Sequence, residues 1–398
     1  MTLPLEGIRI LDFTNFVPGQ IPTLIFAEMG ADVIKIERSG FRKDVYSITH
    51  GGRKPSSEQL KRWTAANTLD RSKRSVVLNL KSNAGREIFF RLVKKSDVVI
   101  EQNRPGVMKR LGIDYETVRE INPRIIYCAL TGYGQEGPYS LLPGRDLTCM
   151  GVSGILAVVN EGGLPPIVPG VKIADLTGAM YSTIGILLAL AAREKTGRGQ
   201  FVDISMMDGA ISWLTAPLIR YFEDGHVQPD RGEVFLSGKR PGYNIYKAKD
   251  GKYLCIAIRE PGFWQGLCEK LGREDLIPYQ NPENGKLDEV ISEFSDIFLA
   301  KNSDEWLEEL KDVGVNKVQQ FDDLVSDPQA IHRNMFVEVT TPEVGTFKQT
   351  ACPIKLSETP YKIKGPAPGV GEDTEGILEE LGYSHEEIKG FYESKTVE

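Results

Sequence analysis

Asp175 stands directly before Leu176–Ala192, LTGAMYSTIGILLALAA, a run with no charge that stops at Arg193. Aspartate is favoured at a helix start, where its side chain takes up free backbone N–H groups, although no Glu or Gln follows three places later to complete a capping box. A carboxylate at the mouth of an apolar segment is also a group that can do chemistry, and the residues alone leave both readings open. A second set of useful side chains is cationic and falls at the ends of expected strands. Arg38 follows VIKIE, Arg71, Lys73 and Arg74 precede SVVLNL, Lys81 follows it, and Arg104 and Arg110 follow DVVIE. Ligands of open α/β sheets bind at the carboxyl ends of the strands, so such charges converge on one crevice that suits phosphates. Each of them singly is ordinary solvated surface.

What is missing narrows the chemistry. The four histidines (His50, His226, His332, His385) have no metal-ligand spacing, which argues against a metal site and a Ser/His hydrolase. The segment TNFVPGQIP after IRILDF lacks the glycine spacing of a dinucleotide fingerprint, and no Walker loop occurs, so neither NAD nor ATP has a motif. A net charge of -7 with mixed signs along 398 residues gives no basic stripe for nucleic acid. The five cysteines are scattered and odd in number, as expected of reduced thiols in the cytoplasm. No export signal opens the chain, and residues 176–192, with their hydroxyls and two glycines, read as a buried core helix rather than a membrane span.

These residues need elements to hold them. Alternation of IRILDF, a helix around Pro22 to Met29, DVIKIE, SVVLNL, the helical AGREIFFRLVKKS, DVVIE and RIIYCAL predicts βα units and a parallel, Rossmann-like sheet, extended by the helix after Asp175 and the strand QFVDIS. The Gly-, Pro- and charge-rich stretch 223–244 reads as a linker. Beyond it a hairpin turning at Lys249-Asp250-Gly251 and helices near 261–271, 287–300 and 303–313 predict a smaller α+β domain. The tail is strand-like from 335, then Pro-rich, then a short helix.

Several blocks in one order, among them GADVIKIER, DRSKRSVVLNLKS, RPGVMKRLGIDYE, NPRIIYCALTGYGQEGPYS, VKIADLTGAMYSTIGILLALAAREKTGRGQFVDISMMDGAI and APGVGEDTEGILEELGYS, resemble the class III CoA-transferase family over nearly the whole chain. The resemblance implies a large domain built from both chain ends, residues 1–222 and 335–398, a linker and small domain over 223–334, and a homodimer of interlocked subunits. It implies a coenzyme A substrate, with no metal and no NAD, and an acyl-CoA and a carboxylic acid as partners, away from membrane and nucleic acid. The family's nucleophilic aspartate falls on Asp175, flanked by the small residues Ala174, Gly178 and Ala179 that would leave room for a pantetheine arm. Arg38, Leu78, Asn79, Leu80, Lys81, Arg104 and Arg110 match positions that hold the nucleotide. Val17, Pro18 and Pro143 to Asp146 match positions near the thioester. Gln102 and Asn103 fall at the positions that hold adenine, although where relatives often carry Asn-Phe before Pro-Gly this chain departs from the pattern and reads EQNRPG. A glycine-rich loop that closes over the aspartate in some members is represented only by Gly238 and Gly242.

The same fold is implied for α-methylacyl-CoA racemases, which use a His in a Gly-His-Asp motif. This chain reads PGRDLTCMG, with Arg145 at that position. Arginine stays protonated and cannot act as a base, so racemisation is disfavoured, while a fixed cation there would steady a carboxylate or oxyanion. An ion pair with Asp146 is the ordinary alternative for Arg145. Asp146 is the rival nucleophile, more plausibly an orienting group. A CoA-binding protein without turnover is the third reading. Phe16 and Tyr243 are candidate aromatics at the mouth.

Overall fold

The β-branched runs of the first half pair as one parallel sheet. In the computed structural model, which describes residues 2–159, 165–225, 240–281 and 286–398, strands β1 (Arg9–Asp12), β2 (Asp32–Glu37), β3 (Arg74–Val77), β4 (Val98–Glu101), β5 (Ile126–Thr131) and β6 (Phe201–Ser205) lie in the order β3-β2-β1-β4-β5-β6. All five neighbouring pairs are parallel. Strands β4 and β5 are buried along their whole length, which is why they read as unbroken apolar runs rather than alternating ones. The order reverses between β1 and β4, and a crevice opens there at the carboxyl ends.

Helix α1 (Val17–Glu28) follows β1 and begins five residues before the expected Pro22. Pro18 falls in its first turn, where a missing N–H costs nothing, and Pro22 lies inside the helix. Helices α2 (Phe41–Thr49) and α3 (Ser57–Ala65) fill the β2–β3 connection, a pair the sequence reading leaves unassigned. A capping box between Ser56 and Gln59 starts α3 and was its available signal. Next come α4 (Asn83–Lys94), α5 (Val107–Leu111), α6 (Tyr115–Ile121), α7 (Asp146–Ser153), the single-turn α8 (Ile155–Val158), α9 (Ile173–Thr196) and α10 (Met206–Ser212).

The chain divides into two compact units. The first holds residues 1–153, 171–212 and 329–398, and the second holds 154–170 and 213–328. The second unit therefore starts at Trp213, ten residues before the expected linker, and also claims a segment ahead of α9. Within it, α11 (Thr215–Asp224) leads to the antiparallel hairpin of β7 (Tyr243–Lys247) and β8 (Tyr253–Ala257), with Gly251 at a φ of 82° in the turn. Helices α12 (Pro261–Lys270), α13 (Leu287–Phe298) and α14 (Ser303–Leu310) cover a core of Trp264, Phe294, Phe298 and Trp306, and β9 (Val315–Lys317) pairs with β8. The short α15 (Phe321–Leu324) and α16 (Pro328–His332) lead out of it.

The chain end returns to the first unit as the hairpin β10 (Phe336–Thr341) and β11 (Gly345–Thr350), then α17 (Thr374–Glu380) and α18 (His385–Glu393). Ile377, Leu378, Ile388 and Val397 share one core with Leu11, Ile34, Val76 and Ile88. Val397 forms a β-bridge with Leu78, and the Asn79 N–H donates to the Thr396 carbonyl at 2.9 Å, which pins the last residues beside the exit of β3.

Helix α9 corrects an expectation. Ala174, Gly178, Ser182, Ile186 and Ala189 are buried, but Met180, Ile184, Leu187 and Leu188 on the opposite face are exposed. Both faces are apolar, so sequence periodicity could not separate them.

Candidate active site

Asp175 is the third residue of α9, not its cap. Lys172 occupies the N-cap position without a side-chain cap bond, and the backbone N–H of Asp175 donates to Asp146 Oδ1 at 3.1 Å. Asp146, first residue of α7, thus satisfies a free donor in the first turn of α9. The Asp175 side chain is released from capping. It is 8% exposed, and its Oδ2 lies 3.8 Å from Lys172 Nζ. Burial, reinforced by the Asp146 carboxylate, pushes the Asp175 carboxyl up to about 6 against the pull of Lys172 and Arg145. Such a group is ionised at neutral pH yet more basic than an ordinary carboxylate, which favours nucleophilic attack.

The residues before α7 are placed by two glycines. A Cβ on Gly132 would stand 2.7 Å from the Cα of Gly144, and the reverse holds at the same distance, so only glycine at both lets the loop fold back on the end of β5. That contact delivers Arg145 and Asp146 beside Asp175. The Arg145 guanidinium lies 5.5 Å from the Phe16 ring centroid, and among the described residues no ion pair joins it to Asp146.

Asp175 faces a cavity of about 470 Å³ built at the carboxyl ends of β1, β4 and β5. Its walls include Phe16, Pro18, Gln102, Asn103, Arg104, Pro143 to Asp146 and Met206. The size is ordinary for a small-molecule site. Gln102 Oε1 is buried without a hydrogen-bond partner. It packs so tightly on α1 that a Cβ at Gly19 would come within 2.6 Å of it. A larger cavity of about 610 Å³ lies beyond the exits of β2 and β3, lined by Arg38, Leu78, Asn79, Leu80, Lys81 and Met108, and Asn103 belongs to both. Arg38 pairs with Asp44 at 2.6 Å and lies over Phe41. Val17 lines neither, but a third cavity of about 190 Å³ that shares Phe16 and Lys172 with the first.

Other residues singled out in the sequence stand away from the two large cavities. Arg71, Lys73 and Arg74 lie at the entry of β3, not its exit. Arg71 is buried on Glu28 and Gln349, Lys73 on Asp12 and Asp70, and Arg74 pairs with Asp32 and Glu380. Their charge is spent in holding the fold. Arg110 lines neither large cavity and is exposed beside Gly106, although Met108 and Leu111 of the same helix do line one. Ala174 and Ala179 are fully buried, and Gly178 packs on Leu130 and Met206, so their smallness serves helix packing and leaves no channel. Tyr243 sits on β7 of the second unit. Gly238 and His226 lie outside the described residues.

Sequence reasoning missed Lys172, which touches two cavities, and the terminal Lys395 to Glu398, which line the one of about 610 Å³. Glu101 was also missed. It is buried at the end of β4, its Oε2 accepts from the Asn103 N–H at 2.6 Å, and burial pushes it up to about 7. Among the described residues, the one grouping of metal-ligand type is the exposed Glu375, Glu379 and His385 at the chain end.

Residues 5–374 match the profile of CoA-transferase family III. The chain is 31% identical to the human alpha-methylacyl-CoA racemase, over 100% of this chain and 98% of that protein. It is 32% identical to the succinyl-CoA:mesaconate CoA-transferase of Haloarcula marismortui, over 95% and 96%. Among solved structures, a CAIB/BAIF family protein from Brucella suis superposes with a TM-score of 0.80 at 27% identity, covering 96% of this chain and 100% of that one.

Proposed function

The chain belongs to CoA-transferase family III, and from that premise we propose that it moves CoA from an acyl-CoA thioester to a free carboxylic acid through covalent intermediates on Asp175. The observation that carries this reading is the setting of Asp175: a buried, raised-pKa carboxylate facing a cavity that shares the wall residue Asn103 with a second one edged by Arg38 and Lys81. The larger cavity suits the nucleotide and phosphates of CoA.

The steps balance without a proton donor. An Asp175 oxygen attacks the thioester carbonyl, the C–S bond breaks, and a mixed anhydride and CoA thiolate result. The thiolate attacks the aspartyl carbonyl, and the donor acid leaves as its carboxylate. The acceptor carboxylate then attacks the aspartyl thioester and releases the thiolate, which attacks the new acyl carbonyl and frees Asp175. Every nucleophile and every leaving group is an anion, so a histidine has no task. Thioester energy is conserved in the covalent intermediates. The wall of the cavity must keep water from the anhydride. Arg145 and Lys172 are placed to balance the approach of a second carboxylate to Asp175.

The racemase relative motivates the second reading, movement of an α-proton of an acyl-CoA. No histidine is among the described residues lining the Asp175 cavity, and Arg145 cannot serve as base. Turnover in D2O separates the two: CoA exchange between acids with no deuterium at the α-carbon supports transfer, whereas α-deuteration without exchange establishes the racemase reading. The exposed apolar face of α9 (Met180, Ile184, Leu187, Leu188) is the surface we assign to a second copy of the chain in a homodimer. The five free thiols suit a cytoplasmic enzyme.

A further inference from the structure

The third cavity, about 190 Å³, adjoins both of the others: it shares Phe16 and Lys172 with the Asp175 cavity, and Asn15, Glu37 and Phe41 with the one of about 610 Å³. Its remaining walls come from α1, α2, α3, Lys35 of β2 and residues 67–70 after α3. Its charged lining is already spent. The Lys35 ammonium donates to Asp70 at 3.1 Å and to the Thr14 carbonyl at 2.9 Å. The Arg42 guanidinium grips both oxygens of Glu37 at 2.7 and 2.6 Å and gives its remaining nitrogen to the Pro368 carbonyl. Gln20 donates to Asp70 as well. Lys35 and Arg42 thus balance Asp70 and Glu37, and their donors point away from any guest. One cation remains, Lys172, 61% exposed and only 3.8 Å from Asp175. The rest of the surface is mainly apolar, Phe16, Phe41, Val45, Leu69 and Trp63, the last braced edge-on by Tyr46 at 5.7 Å, with Thr49 and Thr64 among its few neutral polar groups.

Resting on the transferase reading above, we infer that this chamber holds the tail of the acyl group, and that the substrate is a monocarboxylic acid with a compact apolar or aromatic tail. Lys172 meets the one carboxylate at the Asp175 end. A second carboxylate, carried into the chamber, would find no uncommitted cation beyond Lys172 and would face Asp70 and Glu37, so dicarboxylates are disfavoured by a desolvation that neutral donors do not offset. The volume sets the tail. An apolar cavity of roughly 150 Å³ accepts benzene, so this one takes a ring or branched chain of about six to eight carbons.

The test loads the full-length enzyme with benzoyl-, phenylacetyl- or hexanoyl-CoA on one side and succinyl- or glutaryl-CoA on the other, and follows CoA attached to the Asp175 peptide by mass spectrometry. The expected result is loading at least about 100-fold faster with the apolar set. Thr49→Lys, at the exposed rim of the chamber, adds an uncommitted cation and should cut that preference at least about tenfold, by improving the dicarboxylic thioesters. Equal or faster loading by succinyl- or glutaryl-CoA overturns the inference and leaves the transferase reading standing. If neither set ever loads Asp175, the transferase reading falls and the inference with it.

Discussion

Two buried aspartates of the first unit show how one residue type becomes scaffold or reagent. Asp70, 3% exposed, accepts from Lys35 at 3.1 Å, Lys73 at 3.0 Å, Gln20 at 3.0 Å and Asn67 at 2.8 Å. Burial alone would raise its pKa, but the two ammonium groups outweigh burial and hold it far below the usual carboxylate range. Asp175 is nearly as buried, yet it has one cation at 3.8 Å and a second carboxylate, Asp146, nearby, so its pKa moves the other way. Burial is common to both. What differs is how many donors are committed to each carboxylate, and the under-supplied one is left with reactivity and a cost in stability.

Removing each carboxylate sharpens that contrast. Asp175→Asn should lower CoA transfer by roughly 10⁴-fold or more, since the covalent path is lost. It should also stabilise the protein at pH 7–8 by about 1–3 kcal/mol in denaturant melts. The sign follows from linkage: a folded pKa of about 6 above an ordinary 3.8 means the native state binds the proton more tightly, so stability falls as pH rises between those values. Loss of activity together with loss of stability would break the comparison. Asp70→Asn should do the reverse, costing about 3–5 kcal/mol because Lys35 and Lys73 stay buried with their charge uncompensated. The stability that Asp70 provides is present above the usual carboxylate range and is lost only as the pH falls below it, which acid-unfolding curves would show.

Smaller effects probe the tuning. With a substrate acid already ionised, transfer should decline tenfold per pH unit below about 6 and show no histidine-like limb above it. Asp146→Asn keeps an oxygen to accept from the Asp175 N–H but removes the like charge, so the acidic limb should move down by a fraction of a pH unit. An upward move in the pH–rate profile would contradict the role given to Asp146.

The sheet was legible because its strands are either unbroken apolar runs, as in VVIE and IYCALT, or open at recognisable helix starts. The α2–α3 pair was not, although Ser56 and Gln59 carried its capping signal, and with it the walls of the smallest cavity stayed hidden. Position along the chain pointed to Arg38, Lys81 and Arg104, since each follows a strand. It failed for Arg71, Lys73 and Arg74, whose partners Glu28, Asp12, Asp32 and Glu380 are distant in sequence or lie across the sheet. The tail residues Lys395 to Glu398 reach the site only because α17 and α18 pack on the core beside β3, a tertiary fact with no local pattern. Asp175 itself looked like a cap, and Asp146, 29 residues earlier, does the capping.

The central claim, that the acid's own oxygen passes through Asp175, is tested by turnover with an acceptor acid labelled with ¹⁸O in its carboxylate, followed by mass spectrometry of the Asp175 peptide. The account predicts ¹⁸O in the Asp175 side chain after transfer, because cleavage of the second anhydride leaves one acceptor oxygen on the aspartate. Transfer that proceeds through many turnovers with Asp175 unlabelled would contradict it.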